Sequence, residues 1–220
     1  MKKSKNIVIP EKTNPINIFP IIYPKVSIII TYRITKVEQF DNLIEAINSA
    51  LTQTYTNLEI ILVDDNTDIS ISEILDKKIQ FFFENIPNSD QTILNCEKIR
   101  NFHCALAKKS GISEAKNLGI FHANGEYVMC LNLYSRLAPT SIERMASEIQ
   151  NGNCELVALF HSKNSKKLEL TLPFLFRKKD WKICDGFDPL FSNGMEDMKF
   201  ILEMINLGHY RIKAIYEKFD

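Results

Sequence analysis

An α/β fold on a mainly parallel sheet is what this sequence predicts, and three features carry that expectation. Val26-Ser27-Ile28-Ile29-Ile30 and Leu58-Glu59-Ile60-Ile61-Leu62-Val63 are the continuous aliphatic runs of strands buried on both faces. Between them Val37, Phe40, Ile44, Ile47 and Leu51 recur at steps of three and four, one apolar stripe on a helix. Strand, helix and strand in that order make a βαβ unit, hence parallel strands with helices packed on them.

The remaining elements follow in order. Residues 1–24 carry Pro10, Pro15, Pro20 and Pro24 among isoleucines and read as an extended arm, so that residues 25–220 form the domain. A short helix is expected over 70–77 and a third strand over 79–83. Residues 113–123 read as a helix after the turn Ser110-Gly111, and 127–131 as a strand after Asn124-Gly125. Pro139 suits a helix first turn, with Ile142, Met145 and Ile149 as its buried face. Strands over 155–160 and 168–176 flank a polar loop. A last helix over 196–207 stops at Gly208, and 209–216 reads as a closing strand.

Composition narrows the function. Lys plus Arg and Asp plus Glu are both 27, a balance that argues against sequence-independent nucleic-acid binding, which needs excess positive charge. The five cysteines form no Cys-x-x-Cys motif and read as buried hydrophobes in a reducing compartment. Ile7-Val8-Ile9 is too short for a signal-peptide core, and no run approaches the ~20 apolar residues of a membrane span. A cytoplasmic protein is expected, with peripheral contact at the inner face of a membrane left open, as is its oligomeric state.

In open α/β sheets, ligands bind outside the carboxyl ends of the strands, which picks out Thr31-Tyr32-Arg33, Asp64-Asp65 and residues 132–135. Here the sequence resembles family 2 glycosyltransferases. Val26 to Tyr32, Ala50-Leu51-Thr52-Gln53-Thr54-Tyr55 and Ile61-Leu62-Val63-Asp64-Asp65 look like that family's opening. Ser113-Glu114-Ala115-Lys116-Asn117-Leu118-Gly119 with Ala123-Asn124-Gly125-Glu126-Tyr127 is similar to its next block, and Gly186-Phe187-Asp188, Gly194-Met195-Glu196-Asp197 and Leu207-Gly208 to its acceptor side. The likeness runs from about residue 25 to 215 in the family's order.

The resemblance implies the GT-A (nucleotide-diphospho-sugar transferase) fold, a mixed, mainly parallel sheet with helices on both faces. Residues 25–135 would form the nucleotide-binding half and 136–220 the acceptor half. It implies transfer of a sugar from a UDP-sugar to a glycan or lipid-linked acceptor hydroxyl, with inversion. Asp65 would accept from the uracil imide and Asp64 would shape the same pocket; the alternative is that both cap the following turn. Thr31 would meet uracil or ribose and Tyr32 would stack, or either is an ordinary strand end. Asp197, beside Glu196, would be the general base, unless the pair only complements the helix dipole. Trp181 and Asp188 would meet the acceptor.

The metal site departs from the pattern. After the strand ending at Leu131 the family usually carries Asp-x-Asp, which holds Mn²⁺ or Mg²⁺; this chain has Asn132-Leu133-Tyr134. Asn132 offers one neutral oxygen, so metal binding is expected to be weak or absent. Lys116, Lys108, Lys109 or Arg33 would then neutralise the phosphates. The stretch 84–110, with Cys96, His103 and Cys104, is longer than the family's spacing and reads as an insertion rather than a metal site. Two rivals remain: a catalytically silent nucleotide- or glycan-binding module, and a nucleotidyltransferase, against which the lack of a glycine-rich phosphate loop counts.

Overall fold

The computed structural model of the chain describes residues 23–67, 100–103, 111–161, 173–191, 194–207 and 211–217, together with Lys77. Among the described residues, seven strands form one sheet: β1 (Val26–Tyr32), β2 (Leu58–Asp64), β3 (Arg100–His103), β4 (Tyr127–Asn132), β5 (Leu156–His161), β6 (Phe174–Arg177) and β7 (Ile212–Glu217). Their order is β3-β2-β1-β4-β6-β5-β7. β6 runs antiparallel to β4 and β5, and the other described pairings are parallel. β1 and β2 are buried along their whole length, which is why neither shows polar alternation.

Helices cover both faces. Ile28, Ile30, Ile60 and Leu62 pack with Leu43 and Ile47 of α1 (Phe40–Leu51) and with Ile142 and Met145 of α3 (Ser141–Gln150). Ile29, Ile61 and Val63 face the other way, towards Ala115 and Ile120 of α2 (Ile112–His122) and Phe200 and Met204 of α5 (Glu196–Asn206). On that second face Phe174, Phe176, Phe187 and Phe200 form a ring cluster with paired centroids 4.6 to 6.4 Å apart. No helix of the described residues is long and apolar enough to cross a membrane.

Several expectations shift. The stripe begins later than its period suggests: Val37 is 45% exposed in a 3₁₀ turn, Val37–Gln39, and α1 starts at Phe40. Gln39 causes the break, because its side-chain oxygen accepts from the N–H groups of Thr35 (2.9 Å) and Lys36 (3.1 Å). Pro139 precedes α3 rather than opening it, with Thr140 at the N-cap. The basic run Arg177-Lys178-Lys179 enters a short helix, α4 (Lys178–Ile183), that the sequence did not announce. β3 lies inside the stretch expected to be an insertion and pairs with the end of β2. The arm 1–22, most of 68–99, 104–110 and 162–172 lie outside the described residues.

The amino end of the sheet is held by a buried carboxylate. Glu59, 2% exposed, accepts from Ser27 Oγ (2.6 Å), the Asn124 N–H (2.5 Å) and Asn124 Nδ2 (3.2 Å). Ser27 Oγ in turn accepts from the Gly125 N–H at 2.8 Å. β1, β2 and the entry to β4 are thereby tied at one point. Towards the opposite end, α2 lies hard against the sheet: a Cβ on Gly119 would meet Ile29 Cγ2 at 2.4 Å and Val63 Cγ2 at 3.0 Å. Gly119→Ala is therefore expected to destabilise the domain by about 1–3 kcal/mol through overpacking, read as a lower urea midpoint at unchanged slope.

Candidate active site at the carboxyl edge of the sheet

Strand alternation sorts the residues at the ends of β1 and β2. Ile28, Ile30, Tyr32 and the following Ile34 all belong to the core under α1 and α3. Thr31 and Arg33 therefore project to the α2 side, with Ile29. Tyr32 is 1% exposed within the opposite core, so its ring is not presented to a base. On β2, Asp64 Oδ1 accepts from the Thr67 N–H at 2.8 Å, closing the turn that follows the strand. Asp65 steps back to the α2 side, and its N–H donates to Tyr32 O at 2.7 Å.

Three buried oxygens on this side lack hydrogen-bond partners among the described residues: Thr31 Oγ1, Asp65 Oδ1 and Ser113 Oγ of α2. An unmade buried hydrogen bond costs about 1–3 kcal/mol, so three at one edge mark a place for a polar ligand. Burial pushes the Asp65 carboxyl up to about 6; the nearby Arg33 pulls it down, while Asp64 and Glu114 add to the rise.

A second cluster joins α2 to α5. Lys116, 4% exposed, donates through Nζ to Glu196 Oε1 at 2.9 Å and to Asp197 Oδ1. Its ammonium also stands 5.1 Å over the Phe187 ring. The N-cap residue Met195 makes no side-chain cap bond, and Glu196 and Asp197 direct their carboxylates to Lys116. Glu196 Oε2 is buried without a partner among the described residues. Burial pushes Lys116 down, but Asp197 and Glu196 outweigh it and hold the ammonium above its ordinary value. Asp197 is raised, chiefly by burial and further by Glu196, against the pull of Lys116. One cation thus serves two carboxylates.

Asn117, next along α2, organises the acceptor-side block. Its Oδ1 accepts from Trp181 Nε1 (2.9 Å) and the Phe187 N–H (2.8 Å), and its Nδ2 donates to Phe187 O (2.7 Å). The turn so held has Asp185 at φ 57° and Gly186 at φ 81°. A Cβ on Gly186 would meet Asn117 Oδ1 at 2.7 Å, so glycine is required for both conformation and space. Asp188 is half-buried and accepts through Oδ1 from the Leu190 N–H at 2.9 Å.

The end of β4 is tied to the protein itself. Asn132 Oδ1 accepts from the Tyr134 N–H (2.8 Å), Leu133 is buried, and Tyr134 Oη accepts from Gln39 Nε2 (2.8 Å). Arg136 donates to Leu133 O (3.1 Å), Ser135 O (2.9 Å) and Glu45 Oε2 (2.6 Å). Among the described residues, no three His, Cys, Asp or Glu side chains gather as metal ligands.

The sequence model of Glycosyl transferase family 2 matches residues 27–179, well over half of the chain. The chain belongs to glycosyl transferase family 2. Among curated relatives of this family 2 glycosyltransferase domain, glycosyltransferase GlyG of Streptococcus pneumoniae serotype 4 is 30% identical over 115 residues, 52% of this chain and 33% of that protein. An uncharacterized glycosyltransferase of Rickettsia felis is 37% identical over 89 residues, 40% of this chain and 12% of that protein. The chain thus spans a third or less of the curated relatives it matches. S. aureus TarS in complex with UDP superposes with a TM-score of 0.64 at 14% identity, over 89% of this chain and 61% of that one. Mannosyltransferase PcManGT from Pyrobaculum calidifontis, in complex with GDP-Man and Mn²⁺, gives 0.63 at 16% identity, over 90% and 58%. The fold is GT-A.

Within this family 2 domain the structure brings Thr31, Asp65, Lys116, Glu196 and Asp197 to one side of the sheet. Tyr32 lies in the core, Asp64 accepts from the turn after β2, which is the alternative stated for it above, and Lys116 is paired with Glu196 and Asp197. Trp181 spends its indole N–H on Asn117. Sequence reasoning assigned no role to Asn117 and Ser113; both stand in the block Ser113 to Gly119, and for Ser113 the signal is a polar residue on the buried face of a helix.

Proposed function

We propose that this domain transfers a sugar from a nucleoside diphosphate sugar, UDP-linked, to a glycan or lipid-linked hydroxyl with inversion. The three unpartnered oxygens of Thr31, Asp65 and Ser113 beside the Lys116–Glu196–Asp197 cluster carry this reading. Thr31 meets uracil or ribose, and Asp65 accepts from the uracil imide. The acceptor hydroxyl attacks the anomeric carbon as its proton passes to Asp197. The bond from that carbon to the phosphate oxygen breaks, and the nucleoside diphosphate leaves. A carboxylate raised by burial is a stronger base than an exposed one, while Lys116 keeps it ionised. A cytoplasmic setting with peripheral membrane contact for a lipid-linked acceptor belongs to the same proposal.

Titration with UDP, ADP and GDP tests the base contact. UDP is expected to bind about 1–3 kcal/mol more tightly, since an imide donor is what Asp65 lacks. In the free protein Asp65 holds its proton below about pH 6, so UDP affinity is expected to rise from pH 5 to 7 and then level off. Asp65→Asn flattens that profile. Equal affinity for the three nucleotides removes Asp65 from the role.

The residues at the end of β4 do not fit a divalent cation, because Asn132 Oδ1 already accepts from the Tyr134 N–H and its neighbours Leu131, Leu133, Tyr134 and Ser135 carry no carboxylate. EDTA is accordingly expected to change UDP affinity by less than about tenfold, ~1.4 kcal/mol. The same departure supports the second reading, a silent nucleotide- or glycan-binding module. Wild-type protein that neither transfers nor hydrolyses any UDP-sugar across a broad acceptor panel decides for that module.

A further inference from the structure

We propose that Arg33 supplies the positive charge that meets the donor's diphosphate, so that a guanidinium does at this edge what a divalent cation would otherwise do. The proposal rests on the nucleotide-sugar reading above and goes beyond it by naming the phosphate-binding group. A nucleoside diphosphate brings concentrated negative charge that grows on the leaving oxygen as the sugar departs, and some cation must face it.

The described cations near this edge reduce to one. Lys116 is buried and holds Glu196 and Asp197. Arg136 is bound to Glu45 and to the carbonyls of Leu133 and Ser135. Lys36 leads into the turn before α1, on the other side of the sheet. Arg33 is exposed and makes no hydrogen bond or ion pair with a described residue. It follows the last residue of β1 and shares the side of Thr31, since Tyr32 and Ile34 occupy the opposite core. β1 lies between β2 and β4, so Arg33 stands between Asp65, which takes the base, and Asn132. A nucleotide anchored at Asp65 and running towards α5 passes over it. The guanidinium is always charged and its fork matches phosphate oxygens.

Calorimetry of wild type, Arg33→Gln and Arg33→Lys with uridine and UDP, in EDTA, tests the assignment. In Arg33→Gln, UDP affinity is expected to fall about tenfold to a hundredfold while uridine affinity stays within about threefold, and Arg33→Lys is expected to recover part of the loss. Unchanged uridine binding shows in the same experiment that the variant is folded. Equal losses for uridine and UDP place Arg33 on the base and overturn the proposal, as does no loss for either. A wild-type preference for UDP over uridine that vanishes in EDTA and returns with Mn²⁺ also overturns it. Wild-type protein that binds neither ligand overturns the nucleotide-sugar reading, and this one with it.

Discussion

Asp197→Asn is expected to lower sugar transfer by about 10²–10⁴ while UDP affinity stays within about twofold. Asn keeps the shape of the side chain and can still accept from Lys116, so the cluster between α2 and α5 stays assembled. What is lost is the capacity to take a proton at neutral pH. The N-cap residue of α5, Met195, makes no side-chain cap bond, and the bond the Asp197 carboxylate does make crosses 81 positions of sequence to Lys116. Asn would replace Asp in a cap almost without cost. Steady-state transfer rates with saturating UDP-sugar, beside UDP titration of the same variant, give the answer. Unchanged turnover reduces Asp197 to a structural residue.

Lys116→Met is expected to have the largest effect on stability, about 3–5 kcal/mol at neutral pH. The methionine stem fills the space of the lysine, but Glu196 and Asp197 are left as two buried carboxylates with no cation between them. The pH dependence follows from the direction of the shift. Asp197 is already raised by burial with Lys116 in place, and removing the ammonium raises it further. In the variant the Asp197 carboxyl binds its proton more tightly when folded than when unfolded. The stability it contributes is therefore present at low pH and is lost as pH rises through the raised value. Urea unfolding at pH 4.5 and 7.5 is expected to show a deficit against wild type that is small at the first and large at the second. A deficit equal at both values assigns the effect to packing alone.

β1, β2 and β4 were legible because burial on both faces leaves an unbroken apolar run that resembles little else. The expectation of a ligand at the carboxyl edge followed from the parallel pairing of those strands. Residue roles within that edge were harder, since each depends on which face a side chain takes. Tyr32 and Thr31 are adjacent and both look available at a strand end, yet one belongs to each side of the sheet. Extending the alternation of Ile28 and Ile30 by one step would have put Tyr32 in the core. Lys116 is a different case. Its partners lie 80 and 81 positions away, and nothing local distinguishes a lysine waiting for phosphate from one paired with carboxylates. The 3₁₀ turn at Val37–Gln39 escaped because a side-chain bond from Gln39 to the backbone overrode a good apolar period.

The Glu59 clasp has a bearing on how such a domain changes over time. It fixes the mutual register of β1, β2 and β4 from the end of the sheet remote from Asp65 and Asp197. Connections rooted at the far end take no part in that clasp, whose bonds run between Ser27, Glu59, Asn124 and Gly125. Lengthening or exchanging them costs closure entropy that grows only slowly with length. Donor and acceptor preference can therefore drift by loop replacement without the strands slipping, so diversification of chemistry and retention of fold are separable in this chain.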